Sequence, residues 1–284
     1  DTVFLAARGY QGVFVPDVIA VGDGPENFDT YLAQQFAWAY SMIQVLFKYT
    51  PQSMKKYTLR QSLQFLFVQT WYVLWSLTMF VLFLLPIISL FFNAPIAHVS
   101  YWDFLLHSAP LTIAAFLIWA WSHTWHKPYQ LGLSWRGVIL HIARWPVVLS
   151  AFVQVLLRVQ KPYMITVKGL QRGRKRPFPL KSHYPYIVLI LLSLGACWFY
   201  LLTIRHSSAQ GYLLFALQGA VMILLVYITA LFMDIIDMIR EGISFFSSLL
   251  LRVNPLLLLT ALLGLFIWTA WSSWAAIFAA IMGR

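Results

Sequence analysis

Gln34, Gln35 and Trp38 lie within the run Gln34-Gln35-Phe36-Ala37-Trp38. On a helix, Gln34 and Trp38 are i and i+4 and share a face, with Gln35 three residues before Trp38. An indole face flanked by amides suits a sugar ring: its axial C–H groups pack on the aromatic plane while its hydroxyls take hydrogen bonds. The same tryptophan also suits an aromatic belt at a membrane surface, and the chain has 13 Trp to fill such places. Trp71, Tyr72 and Trp75, and later Trp119, Trp121 and Trp125, offer further ring surface and carry the same two readings. His123 and His126 stand at i and i+3 with no third ligand nearby, so no metal site is expected. Asp234 and Asp237 are also i and i+3, which is not the spacing of a D-x-D metal motif; pairing with Arg240 is the plain explanation.

These residues sit in a chain that is 61% hydrophobic and only 10% charged, with a mean hydropathy of +0.73. Over 284 residues that composition describes an integral membrane protein. Runs long enough to cross a bilayer, which takes about 20 apolar residues, occur at Trp71 to Phe92, Phe104 to Trp121, Tyr186 to Ile204, Tyr212 to Met233 and Pro255 to Met282. The net charge of +11 is distributed as membrane topology requires, and nucleic acid is not an expected partner. With the N-terminal segment cytoplasmic, all Lys and Arg except Arg205 and Arg284 fall on the cytoplasmic side. The single cysteine, Cys197, lies in mid-span and can form no intrachain disulfide.

The expected fold class is therefore an all-α polytopic membrane protein with about five transmembrane helices plus amphipathic interfacial helices. Residues 1–28 read differently, with a strand candidate at Gly12 to Pro16 and a turn at Gly22 to Pro25. From Asp29, taken as an N-cap, residues 29–70 form interfacial helices, the first with Leu32, Phe36, Ala39 or Tyr40, Ile43 and Phe47 on one side. Transmembrane helices 1 and 2 occupy 71–122. Residues 123–185 stay cytoplasmic, with an interfacial helix at Trp135 to Val159, because its most apolar part, Trp145 to Leu157, is short for a span. Crossing there would also throw the eight Lys and Arg of Arg158 to Lys181 outside. Helices 3 and 4 occupy 186–233, a cytoplasmic linker 234–254, and helix 5 residues 255–282.

Two motifs then carry a resemblance. Gln34 to Trp38 resembles the Q-x-x-R-W motif of processive family-2 glycosyltransferases, the bacterial cellulose synthase group. Tyr163-Met164-Ile165-Thr166-Val167-Lys168 resembles the F-x-V-T-x-K motif of that group's gating loop. Both stand in the expected order relative to the spans. The resemblance implies that Gln34, Gln35 and Trp38 bind the acceptor end of a growing polysaccharide, and that Tyr163, Ile165, Thr166 and Lys168 close over a UDP-sugar. Trp71, Tyr72 and Trp75 become channel-lining candidates. It further implies glucose as the sugar, Mg or Mn as divalent cofactor with no ligands in this chain, and a bacterial inner membrane as location. Membrane lipid and export subunits are the other implied partners. Residues 1–28 would be the remnant of a GT-A type α/β catalytic domain, with the general base upstream of Asp1, so that the 284 residues alone would be inactive. Ala37 departs from the motif, which has arginine there to hold the nucleotide diphosphate; either another basic residue compensates, or the chain is a weak or inactive homologue, or the position was altered. The rival readings are a non-catalytic polysaccharide channel or scaffold subunit, and a non-processive transferase acting on a lipid carrier.

Overall fold

Backbone polar groups in lipid must be satisfied within their own segment, which makes the apolar runs helical. The computed structural model describes residues 2–13, 15, 24–25, 27–95, 101–122, 135–160, 177–203 and 209–281. In chain order the helices are α1 (Thr2–Ala7), α2 (Phe28–Gln44), α3 (Thr50–Ser53), α4 (Leu59–Phe92), α5 (Tyr101–Ser122), α6 (Trp135–Ala143), α7 (Trp145–Leu156), α8 (Leu180–Thr203), α9 (Tyr212–Arg240), α10 (Phe245–Leu251) and α11 (Val253–Ile281). A π-helical turn, Val45–Tyr49, joins α2 to α3, and a 3-10 turn, Met54–Lys56, follows. The described residues contain no strand, and α1 is helical, so the described part of 1–28 gives no support to a GT-A remnant. Of the strand candidate, Gly12, Val13 and Val15 are irregular, while Phe14 and Pro16 lie outside the described residues.

The described residues hold six helical stretches long and apolar enough to cross a membrane, not five. The added one is Arg136–Leu156, in which α6 runs into α7 with a break only at Arg144. Helix is expected over Trp135 to Val159, where α6 and α7 lie; taking only Trp145 to Leu157 as its apolar part makes it look short, because Arg136, Gly137 and His141 mask the apolar content of α6. A second difference lies in α4. Residues 55–70 and 71–92 are expected as an interfacial helix and a span, but Leu59–Phe92 is one helix of 34 residues, about 51 Å long at 1.5 Å per residue. That exceeds a hydrocarbon core of about 30 Å by about four helical turns.

The chain divides into two units, Asp1–Phe80 with Arg144–Pro177, and Val81–Ala143 with Phe178–Arg284. In the first, α2 packs on α7 through Ala39, Tyr40, Ile43, Val148 and Ala151, flanked by Phe36, Tyr72, Val73, Phe152 and Val155. Ala39 and Ala151 are fully buried, and their small side chains let the two backbones approach. Tyr40 Oη donates to the carbonyl of Val159, just past α7. The N-cap of α2 is Asn27, two residues before the expected Asp29: Asn27 Oδ1 accepts from Thr30 N (2.8 Å) and Thr30 Oγ1 accepts from Asn27 N (3.1 Å). Asp29 instead stands in the first turn, where a carboxylate favours the positive end of the helix dipole. Thr50 Oγ1 donates to Gln69 Oε1 at 2.8 Å, tying α3 to α4.

In the second unit α8, α9 and α11 pack together. The buried face of α8, His183, Tyr186, Ile190, Ser193, Leu194, Cys197 and Tyr200, has helical periodicity. Trp198 Nε1 donates to Thr269 Oγ1 (2.9 Å) and Tyr227 Oη to the carbonyl of Pro255 (3.1 Å), which pairs these polar groups between the helices. Gly242, at φ +91°, closes α9 in the left-handed region that glycine adopts without cost. The turn it makes brings Arg252 back onto Asp234 in a bidentate pair, with Nε on Oδ2 and Nη2 on Oδ1. Asp237 pairs with Arg240 at 3.3 Å as expected; Asp234 does not.

Candidate functional site

Helix α2 is held by its packed side, and that fixes what its other side presents. Leu32, Ala39, Tyr40 and Ile43 are buried as their spacing predicts, whereas Phe47 is exposed. Trp38 is 54% exposed and makes no ring contact among the described residues, which leaves its indole face open. Gln34, one turn earlier, is half-buried and makes no side-chain hydrogen bond among the described residues. These two therefore stand together as expected.

Gln35 turns the other way. It is 5% exposed, and its Oε1 accepts a hydrogen bond from Arg144 Nη1 at 3.1 Å. The guanidinium carbon lies 5.7 Å from the centroid of the Tyr72 ring, within cation–π range. Its Nε is buried without a hydrogen-bond partner. Among the described residues Arg144 belongs to no ion pair. Tyr31 feels its charge, but burial, the larger effect, pushes that phenol up to about 12 against the pull of Arg144. Tyr31 is thus a neutral hydroxyl near pH 7 and supplies no counter-charge.

The aromatic candidates separate. Phe67, Trp71 and Trp75 stack along one side of α4 with centroids 6.2 Å and 5.9 Å apart, the two indoles nearly parallel at 16°. Tyr72 faces the α2–α7 core instead. Trp119 and Trp121 belong to the other unit, where Trp121 is exposed and Trp119 lies against Phe116. Tyr163, Ile165, Thr166 and Lys168 lie outside the described residues, as do His123, Trp125, His126 and Arg172 to Arg176.

The residue that sequence reasoning missed is Arg144. It is 109 positions from Gln35, so no local spacing could pair them. The only signal was an arginine between two apolar helical runs, a place where a charge needs a partner.

The chain matches no protein-family model, no curated protein and no solved structure.

Proposed function

We propose that this chain is the membrane-embedded, channel-forming part of a processive glycosyltransferase. It would polymerise a UDP-sugar, glucose first, into a β-linked polysaccharide such as cellulose and export it. The observation that carries the reading is Trp38, an open indole one turn from Gln34 on a helix whose other side is locked in a packed core. A rigid aromatic platform with an amide at its edge is what stacking and hydrogen bonding to a terminal sugar require. The motif likeness at 34–38 and 163–168 adds support from the sequence.

In this reading the acceptor hydroxyl, held over Trp38, attacks the anomeric carbon of the nucleotide sugar as UDP leaves, and the lengthened chain moves into the membrane. The loop with Tyr163, Ile165, Thr166 and Lys168 closes over the nucleotide. The general base and the metal ligands belong to a catalytic domain outside these residues. The described residues contain no group of three His, Cys, Asp or Glu able to hold a metal ion. The N-terminal segment is cytoplasmic in a bacterial inner membrane. There α6 and α7 lie along the cytoplasmic surface, because crossing would move the eight Lys and Arg of 158–181 to the other side.

Ala37 favours a second reading, a non-catalytic channel or scaffold subunit, since alanine has no donor for a diphosphate. Both readings need Trp38 to hold sugar. The test is binding of a β-1,4-linked gluco-oligosaccharide to the full chain in nanodiscs. Aromatic stacking at about 0.5–1.5 kcal/mol plus lost contact area predicts that Trp38→Ala weakens binding by about tenfold, while Trp38→Phe retains most of it. Equal binding by Trp38→Ala and wild type removes the acceptor role.

A further inference from the structure

We infer that Arg144 and Gln35 form a binding site for a phosphate-type oxyanion. A guanidinium carries five N–H donors and no acceptor, and Gln35 Oε1 takes one of them. Nε is buried without a partner, and Nη2 has no hydrogen bond among the described residues. The amide orientation that accepts from Arg144 leaves Gln35 Nε2 as a second donor, likewise unmatched. The pair thus offers N–H groups and no negative charge. Arg144 as a residue is half-buried, with its Nε enclosed.

Among the described residues no carboxylate pairs with Arg144. No acidic residue occurs between Asp29 and Asp103 or between Asp103 and Asp234. Tyr31 is neutral, and Tyr72 contributes only the face of its ring. A partly desolvated cation with no carboxylate is costly unless a ligand completes it. Phosphate oxygens match the fork in two parallel hydrogen bonds, and a third can go to the Gln35 amide. The Tyr72 ring keeps the guanidinium plane in place for this.

The oxyanion has two sources, a dissolved phosphate compound or the headgroup of a membrane lipid. The experiment uses the purified full chain in detergent micelles with inorganic pyrophosphate for the first. For the second it uses phosphatidylglycerol against phosphate-free diacylglycerol, scored by native mass spectrometry. Wild type should bind pyrophosphate, or retain phosphatidylglycerol over diacylglycerol. In Arg144→Gln the same binding should fall about tenfold, as expected for charge-assisted hydrogen bonds. Gln35→Glu puts a carboxylate beside the guanidinium; it should lose the same binding while its melting temperature stays level or rises. That variant decides the matter where Arg144→Gln does not fold. Lys55→Gln, at an exposed lysine, should bind as wild type. The inference is overturned if wild type binds neither probe, if Gln35→Glu binds as wild type, or if Lys55→Gln loses as much as Arg144→Gln. It needs no polymer synthesis, so it can fail or stand separately from the functional proposal.

Discussion

The bidentate pair between Arg252 and Asp234 allows a ranked prediction. The Arg252 side chain is 4% exposed and that of Asp234 20%, so the two charges are not equally dependent on each other. Breaking a buried pair by removing one partner costs about 3–5 kcal/mol, because the survivor is left charged and desolvated. Asp234→Leu strands the more buried ion and belongs at the upper end, about 5 kcal/mol. Arg252→Met strands a carboxylate that still reaches solvent and belongs near about 3 kcal/mol. The double variant removes both charges and should recover most of the loss, since apolar replacements of similar volume are often neutral. Denaturant unfolding of the full chain in detergent measures all three. A greater loss from Arg252→Met than from Asp234→Leu, or a double variant whose loss equals the sum of the singles, would refute the reasoning.

Three further outcomes follow from the α2 region. Ile43→Ala removes a fully buried side chain from the α2–α7 core and should cost about 2–5 kcal/mol, read by the same unfolding assay. Asn27→Ala breaks the reciprocal cap of α2 and should cost about 1 kcal/mol, with faster amide exchange confined to the first turn of that helix. Thr50→Val leaves buried Gln69 Oε1 without its donor and should cost about 1–3 kcal/mol, whereas Thr50→Ser should be close to wild type.

The apolar segments were legible because hydropathy and length decide them: α11 begins two residues before the run at Pro255 to Met282, and α5 frames Phe104 to Trp121. The buried side of α2 was legible too, since 3.6-residue periodicity fixes it. The full length of the apolar stretch over α6 and α7 was not, because Arg136 and His141 in α6 confined the apparent run to Trp145 to Leu157. The unbroken course of α4 was missed for a similar reason: Arg60, Gln61 and Gln64 look like a surface helix, and only the Thr58–Gln61 cap shows that the same helix starts there. Exposure of Trp38 followed from its place on α2, but the turning of Gln35 toward Arg144 depends on a contact across 109 positions. The return of Arg252 to Asp234 depends in the same way on the left-handed turn at Gly242. Local patterns carry neither.

The central claim is tested most directly by giving radiolabelled UDP-glucose and Mg or Mn to membranes that carry the full-length protein. The account predicts label in high-mass, β-glucanase-sensitive polymer, and little of it when Trp38 is alanine. No polymer from the wild-type protein with any common UDP-sugar, or undiminished polymer from Trp38→Ala, would contradict it.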